Sequence, residues 1–153
     1  MTINDELQGL IKLLRNAKIE YALCGGLAMA VHGWPQSTMD IDILIEKKKL
    51  AAARDLAKSL GFKREAHRMY FCDDKIQIHR LIKLAGEEAI PLDLLTVTPS
   101  LRSAWKQRVT LESAYGPICV VSRKGLAMMK NMRKSGQDKD DIRKLKGNDA
   151  DKN

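Results

Sequence analysis

Asp40 and Asp42 sit two residues apart in a β-branched run, Thr38-Met39-Asp40-Ile41-Asp42-Ile43-Leu44-Ile45, and that spacing leaves few folds open. Residues i and i+2 of a strand point to one face, ~7 Å apart along the chain, so both carboxylates share a side while Ile41 and Ile43 face the core. Two such acids repel each other unless cations or basic groups lie beside them. A pair of hard cations ~3.5–4 Å apart is within reach of both. Thirteen residues intervene between Asp40 and Gly25-Gly26, which ends one predicted strand and opens a helix. Glycine there lets backbone approach a triphosphate closely, and the helix N-terminus adds free N–H groups. Asp93, in Pro91-Leu92-Asp93-Leu94-Leu95-Thr96, faces away from Leu92 and Leu94. If its strand lies beside that of Asp40, three carboxylates meet at one sheet edge. This suits two-metal phosphoryl or nucleotidyl transfer, with Asp93 helping to activate an attacking hydroxyl as general base.

The remaining chain reads as one mixed α/β unit. Asn4 or Asp5 is expected to cap a helix carrying Leu7, Leu10, Ile11 and Leu14 at helical spacing. Strands are expected over 19–24, 38–45, 68–72, 75–84, 91–97 and 118–122, with a further one before Tyr115-Gly116-Pro117. Helices are expected over 27–32, 47–60, from Pro99 through Trp105, over 124–134, and over 138–145 after a break at Ser135-Gly136. The domain is placed at 1–146, with a core over 1–122, a helical segment over 123–146 and a frayed tail over 147–153.

Composition excludes several classes. The chain has 153 residues, 44% hydrophobic and 30% charged, which is a globular balance rather than a disordered one. Apolar stretches such as 27–31 fall far short of the ~18–20 residues needed to span a bilayer, so no membrane role is expected. Asp5 and Glu6 stand where a secretory signal would be basic, and a cytoplasmic location follows as the expectation. Cys24, Cys72 and Cys119 lie far apart, form no paired-cysteine motif, and read as small buried thiols. His32, His67 and His79 show no ligand spacing. The net charge of +8 draws polyanions, whether nucleotides, nucleic acid or an acidic partner. Residues 123–153 carry ten Lys/Arg against five Asp/Glu, most simply a solvated face. Aromatic residues, at 5%, are too few for a base-stacking platform.

Leu23-Cys24-Gly25-Gly26, the gap, Asp40-Ile41-Asp42-Ile43 and Leu92-Asp93-Leu94-Leu95 together resemble the nucleotidyltransferase superfamily that includes DNA polymerase β. Within it, the run from Tyr21 to Gly33 is most similar to small AbiEii-type toxin nucleotidyltransferases. Val121-Ser122, Leu126 through Lys130 and Gln137 through Ile142 resemble that group's helical segment. The resemblance implies a nucleotidyltransferase-type mixed sheet flanked by helices. It further implies Mg²⁺-dependent (or Mn²⁺-dependent) transfer of a nucleoside monophosphate from a nucleoside triphosphate. The acceptor would be tRNA or another RNA end, or a protein hydroxyl, within a toxin–antitoxin or phage-defence system. On this resemblance Asp40, Asp42 and Asp93 are metal ligands, Gly25 and Gly26 form the phosphate-facing turn, Ser37 or Thr38 helps hold the triphosphate, and Lys130 contacts nucleotide phosphates. Gln36 stands where relatives often carry arginine. Two other roles share the fold: a regulatory partner of a cognate toxin or antitoxin protein, and a domain that binds nucleotide or nucleic acid without chemistry.

Overall fold

The computed structural model describes residues 2–35, 37–113, 116–133 and Leu145. The first helix, α1 (Ile3–Asn16), has its cap two or three residues before the expected Asn4 or Asp5. Thr2 is the cap: its hydroxyl accepts from the Asp5 N–H at 3.2 Å, and the Asp5 carboxylate accepts from the Thr2 N–H at 3.0 Å. This reciprocal box satisfies two orphan donors at once, which Asn4 or Asp5 alone would not. The acceptor role holds the Asp5 carboxyl below its ordinary range. At the other end Lys18 turns left-handed, and the Ile19 N–H returns to the Leu14 carbonyl at 2.9 Å. Ile19 thus belongs to the helix exit, and strand β1 is only Ala22–Cys24 rather than 19–24.

Helix α2 (Gly25–Val31) follows without a linker. Strand β2 (Ile41–Ile45) starts later than the expected 38, because Thr38 Oγ1 accepts from the Asp40 N–H at 3.3 Å and takes that group out of the ladder. After a 3-10 turn over Lys47–Lys49 come α3 (Leu50–Ser59), β3 (Arg64–Glu65), β4 (Met69–Phe71), β5 (Ile76–Ala85) and β6 (Glu88–Thr96). A second 3-10 turn, Pro99–Leu101, leads into α4 (Arg102–Lys106). Strands β7 (Val109–Ser113) and β8 (Gly116–Val120) and helix α5 (Arg123–Arg133) complete the described elements. Leu145 is helical and fully buried. The rest of the expected helix over 138–145, the break at 135–136 and the tail over 147–153 lie outside the described residues, as does Gln36.

The strands form one mixed sheet in the order β3-β5-β6-β2-β1-β8-β7, with β4 also paired to β5. β2–β6 and β1–β8 are parallel, and the remaining pairs are antiparallel. The central strands β1, β2 and β6 are the most deeply buried, with Leu23, Ile41, Ile43, Leu44 and Leu92 wholly removed from solvent. On one face of the sheet lies α1, held there by Lys83 of β5, whose Nζ donates to both oxygens of the buried Glu6 carboxylate at 2.8 and 2.9 Å. The opposite face bears Arg80 of β5, because residues three apart on a strand point to opposite sides. Helix α5 covers that second face. Its first turn is anchored by the Ser122 hydroxyl, which accepts from the Gly125 N–H at 3.1 Å.

Candidate active site

Sheet register places the acids. Cys24 of β1 lies opposite Asp42 of β2, Asp42 opposite Asp93 of β6, and Asp93 opposite Arg80 of β5. Directly opposed residues point to the same face of a sheet, and neighbouring strands are ~4.8 Å apart. Arg80, Asp93 and Asp42 therefore form one row across three strands. Asp40 joins the row's face two residues before Asp42, just outside β2. The expectation that the Asp93 strand lies beside the Asp40–Asp42 strand agrees with the parallel β2–β6 pairing.

Gly25 fits that row and no other residue does. Its φ is +68°, and a Cβ built there would stand 2.1 Å from Asp42 Oδ2. The missing side chain is what leaves room for the Asp42 carboxylate against the backbone turn from β1 into α2. Gly26 serves a different neighbour: a Cβ there would meet Thr38 Cβ at 3.1 Å. The doublet thus packs two things, an acid against Gly25 and the segment before β2 against Gly26.

The sequence reading missed Arg80. Its Nε donates to Asp93 Oδ1 at 2.7 Å and its Nη2 to Asp93 Oδ2 at 2.9 Å, a bidentate fork on a carboxylate that is 4% exposed. The same Nη2 lies 4.0 Å from Asp40 Oδ2. The bond to Asp93 raises the guanidinium pKa further above its ordinary value. Asp40 moves the other way for a carboxylate: burial and the neighbouring Asp93 charge raise its pKa, with Arg80 opposing them. Alternation alone carried no signal for Arg80. It takes the place of an isoleucine in the run Ile76, Ile78, Ile82, and only the β5–β6 register, which sets it opposite Asp93, gives that place its role.

Above the row lies a cavity of about 350 Å³. Its polar floor is Asp40, Asp42, Asp93 and Arg80, with Gly25 at one side. Its apolar walls come from the β4–β5 hairpin, through Met69, Phe71, Ile76 and Ile78, and from α5, through Leu126 and Met129. Lys130 of α5 also lines it and is only 7% exposed. Among the sequence-expected residues, Asp40, Asp42, Asp93, Gly25 and Lys130 are brought together here. Gly26, Ser37 and Thr38 do not line this wall: Thr38 is half-buried against Gly26, and Ser37 is exposed. Cys72, just after β4, donates its thiol to the Met132 carbonyl of α5 at 3.0 Å. All three cysteines are free thiols.

The donor set bears on whether a divalent cation fits. Asp40 and Asp42 offer hard carboxylate oxygens on one face of the sheet, lining one cavity. This pair fits one such ion. Asp93 differs, since both its oxygens already accept from Arg80. Consistently, no three His, Cys, Asp or Glu side chains among the described residues converge as a metal-binding group. Among the described residues, no helix is long and apolar enough to cross a membrane.

No family model matches the sequence. No curated protein matches it either. Solved structures do. A Thermotoga maritima protein described as a nucleotidyltransferase aligns over 97% of this chain and 96% of its own, at 17% identity and a TM-score of 0.55. The antibiotic-resistance factor ANT(2'')-Ia, in its solution structure, aligns over 95% of this chain and 84% of its own, at 13% identity and a TM-score of 0.59. The crystal structure of ANT(2'')-Ia with adenylyl-2''-tobramycin aligns over 91% of this chain, at 12% identity and a TM-score of 0.57. At these identities the likeness is one of fold. The mixed sheet with its flanking helices is the nucleotidyltransferase fold, as the resemblance in sequence implied.

Proposed function

We propose that this chain is a divalent-cation-dependent nucleotidyltransferase, moving a nucleoside monophosphate from a nucleoside triphosphate to an acceptor hydroxyl. The observation that carries the reading is the in-register row of Asp42 and Asp93 with Asp40 beside it, set against a glycine turn at the floor of a cavity. Nucleotidyltransferase structures with the same fold support it. In the reaction, the acceptor oxygen forms a bond to the α-phosphorus while the bond from that phosphorus to the bridging oxygen breaks, and pyrophosphate leaves. Asp40 and Asp42 would hold Mg²⁺ or Mn²⁺, which when bound supplies Lewis-acid neutralisation of the phosphate charge. Asp93 takes the hydroxyl proton: a carboxylate has about four lone-pair positions, and the Arg80 fork uses two of them. Lys130 supplies a fixed positive charge to the phosphates from the α5 wall. Ser37, Thr38 and Gly26 act one step back, shaping the segment that leads into Asp40.

The acceptor class follows from sequence and charge. The AbiEii-type likeness of 21–33 and the net +8 favour an RNA end, tRNA included, or a hydroxyl on a protein partner, in a toxin–antitoxin or defence setting. We place the whole activity in one domain over 1–146, working in the cytoplasm. A second reading, nucleotide binding without chemistry, draws support from the Arg80 hold on Asp93. The two separate on one assay with α-labelled ATP, CTP, GTP and UTP, each with Mg²⁺ and a tRNA fraction or cell extract. Transfer of label to RNA or protein supports the enzyme. Retention of nucleotide on the protein with no labelled product supports the binding domain.

A further inference from the structure

The three-acid pattern suits two cations, yet a protein cation already occupies the ground between Asp93 and Asp40. Arg80 Nη2 stands 2.9 Å from Asp93 Oδ2 and 4.0 Å from Asp40 Oδ2, while Nε takes Asp93 Oδ1 at 2.7 Å. A second divalent ion bridging those two carboxylates would have to displace this fork. The guanidinium is permanently charged, and its planar donors match a carboxylate bidentately, so it is not a counter-ion that comes and goes. Register reinforces the placement, because Arg80 is the residue directly opposite Asp93 on the antiparallel partner strand. Asp93 is buried, which makes release of its partner costly. Asp42 keeps its place against Gly25, and Asp40 lines the same cavity with only one oxygen near the fork, 4.0 Å from Arg80 Nη2.

We propose that Arg80 stands in for the second divalent cation, leaving a site that takes one ion, on Asp40 and Asp42, with each bound nucleotide. Arg80 is then a positioning residue: it fixes Asp93 and balances the acid row without exchange. This rests on the nucleotidyltransferase reading for the identity of the ligand, and its failure is distinguishable from failure of that reading.

The test is equilibrium dialysis of the whole protein against Mn²⁺ and the non-hydrolysable α,β-methylene analogues of ATP, CTP, GTP and UTP in turn. The quantity read is the ratio of Mn²⁺ to nucleotide retained. The expected ratio is about one for the wild type. It rises to about two for Arg80→Gln, where Asp93 is released to join a second ion, and returns to about one for Arg80→Gln combined with Asp93→Asn. The neutral pair in the double variant avoids a lone buried charge, so a fold lost in the single variant leaves the wild type and the double variant to decide. A wild-type ratio of about two overturns the inference while leaving the nucleotidyltransferase reading intact. So does a ratio that stays near one in a folded Arg80→Gln variant. Retention of none of the four analogues overturns the nucleotidyltransferase reading itself, and the inference falls with it.

Discussion

Gly25 and Gly26 are adjacent, yet their substitution by alanine has different consequences. At Gly25 a methyl group would collide with Asp42 Oδ2 and adopt a left-handed φ of +68°. The backbone term alone costs about 1–2 kcal/mol, and the collision moves the carboxylate proposed to hold the cation. Gly25→Ala is expected to abolish nucleotide transfer and lower the melting temperature by roughly 2–8 °C for a domain of this size. Gly26 has no such φ, and its new methyl group would press only on Thr38 at 3.1 Å. Gly26→Ala is expected to keep measurable transfer and a melting temperature nearer the wild type. Thermal unfolding and a labelled-transfer assay on the two variants check this, and equal behaviour would contradict the separate roles. At this scale the sequence was partly transparent. Asp40, Asp42, Asp93 and Gly25 could be read because their chemistry depends on spacing within a strand or turn. Arg80 could not, since its meaning depends on a partner thirteen residues away across an antiparallel pair. A lone arginine in a strand looks like a solvated side chain until that register is known.

Among the elements, α1 and β5 are tied by the Glu6–Lys83 pair, in which Glu6 is 3% exposed. Lys83 also lies over the Phe62 ring, 5.9 Å from its centroid, and its stem packs on Gly61. Lys83→Met preserves the apolar stem but leaves a buried carboxylate with its partner removed. The expected loss is ~3 kcal/mol, or roughly 6–12 °C in melting temperature. Glu6→Gln combined with Lys83→Met should recover most of it, because no uncompensated charge remains. Denaturant unfolding of the single and double variants measures the difference; a double variant no better than Lys83→Met would remove the pair from the account. Strong periodicity made α1, α3, α5 and the long β5 and β6 readable. Boundaries were harder where a side chain competes with the backbone. Thr2 caps α1 two or three residues early, and Thr38 delays β2 to Ile41. The strand β3, Arg64–Glu65, has only two residues and offers no alternation to detect. The Thr2-x-x-Asp5 spacing did carry a capping signal that a reading centred on Asn4 and Asp5 passed over.

For the whole molecule, the net charge of +8 governs how an acceptor arrives. A polyanionic acceptor releases counter-ions on binding, so its affinity falls steeply with salt, whereas a small neutral one is almost indifferent. With an RNA acceptor, KM for the RNA is expected to rise at least about tenfold between 50 and 200 mM salt, as for several phosphate contacts, with little change in kcat. A flat KM would point instead to a protein or small-molecule hydroxyl. The fold class was legible because the β-α-β order and the acid-bearing strands restrict the sheet to few connections. The order of strands was not, since β8 reaches β1 from the far end of the chain. Whether the acid row transfers a nucleoside monophosphate is decided by transfer from α-labelled nucleoside triphosphates with Mg²⁺, comparing the wild type with Asp42→Asn. The wild type is expected to place label on RNA or protein, and a folded Asp42→Asn variant to lose at least about a hundredfold, in keeping with removal of a ligand essential to charge neutralisation. Undiminished transfer by that variant, or no transfer by the wild type from any of the four nucleotides, would contradict transfer by the acid row.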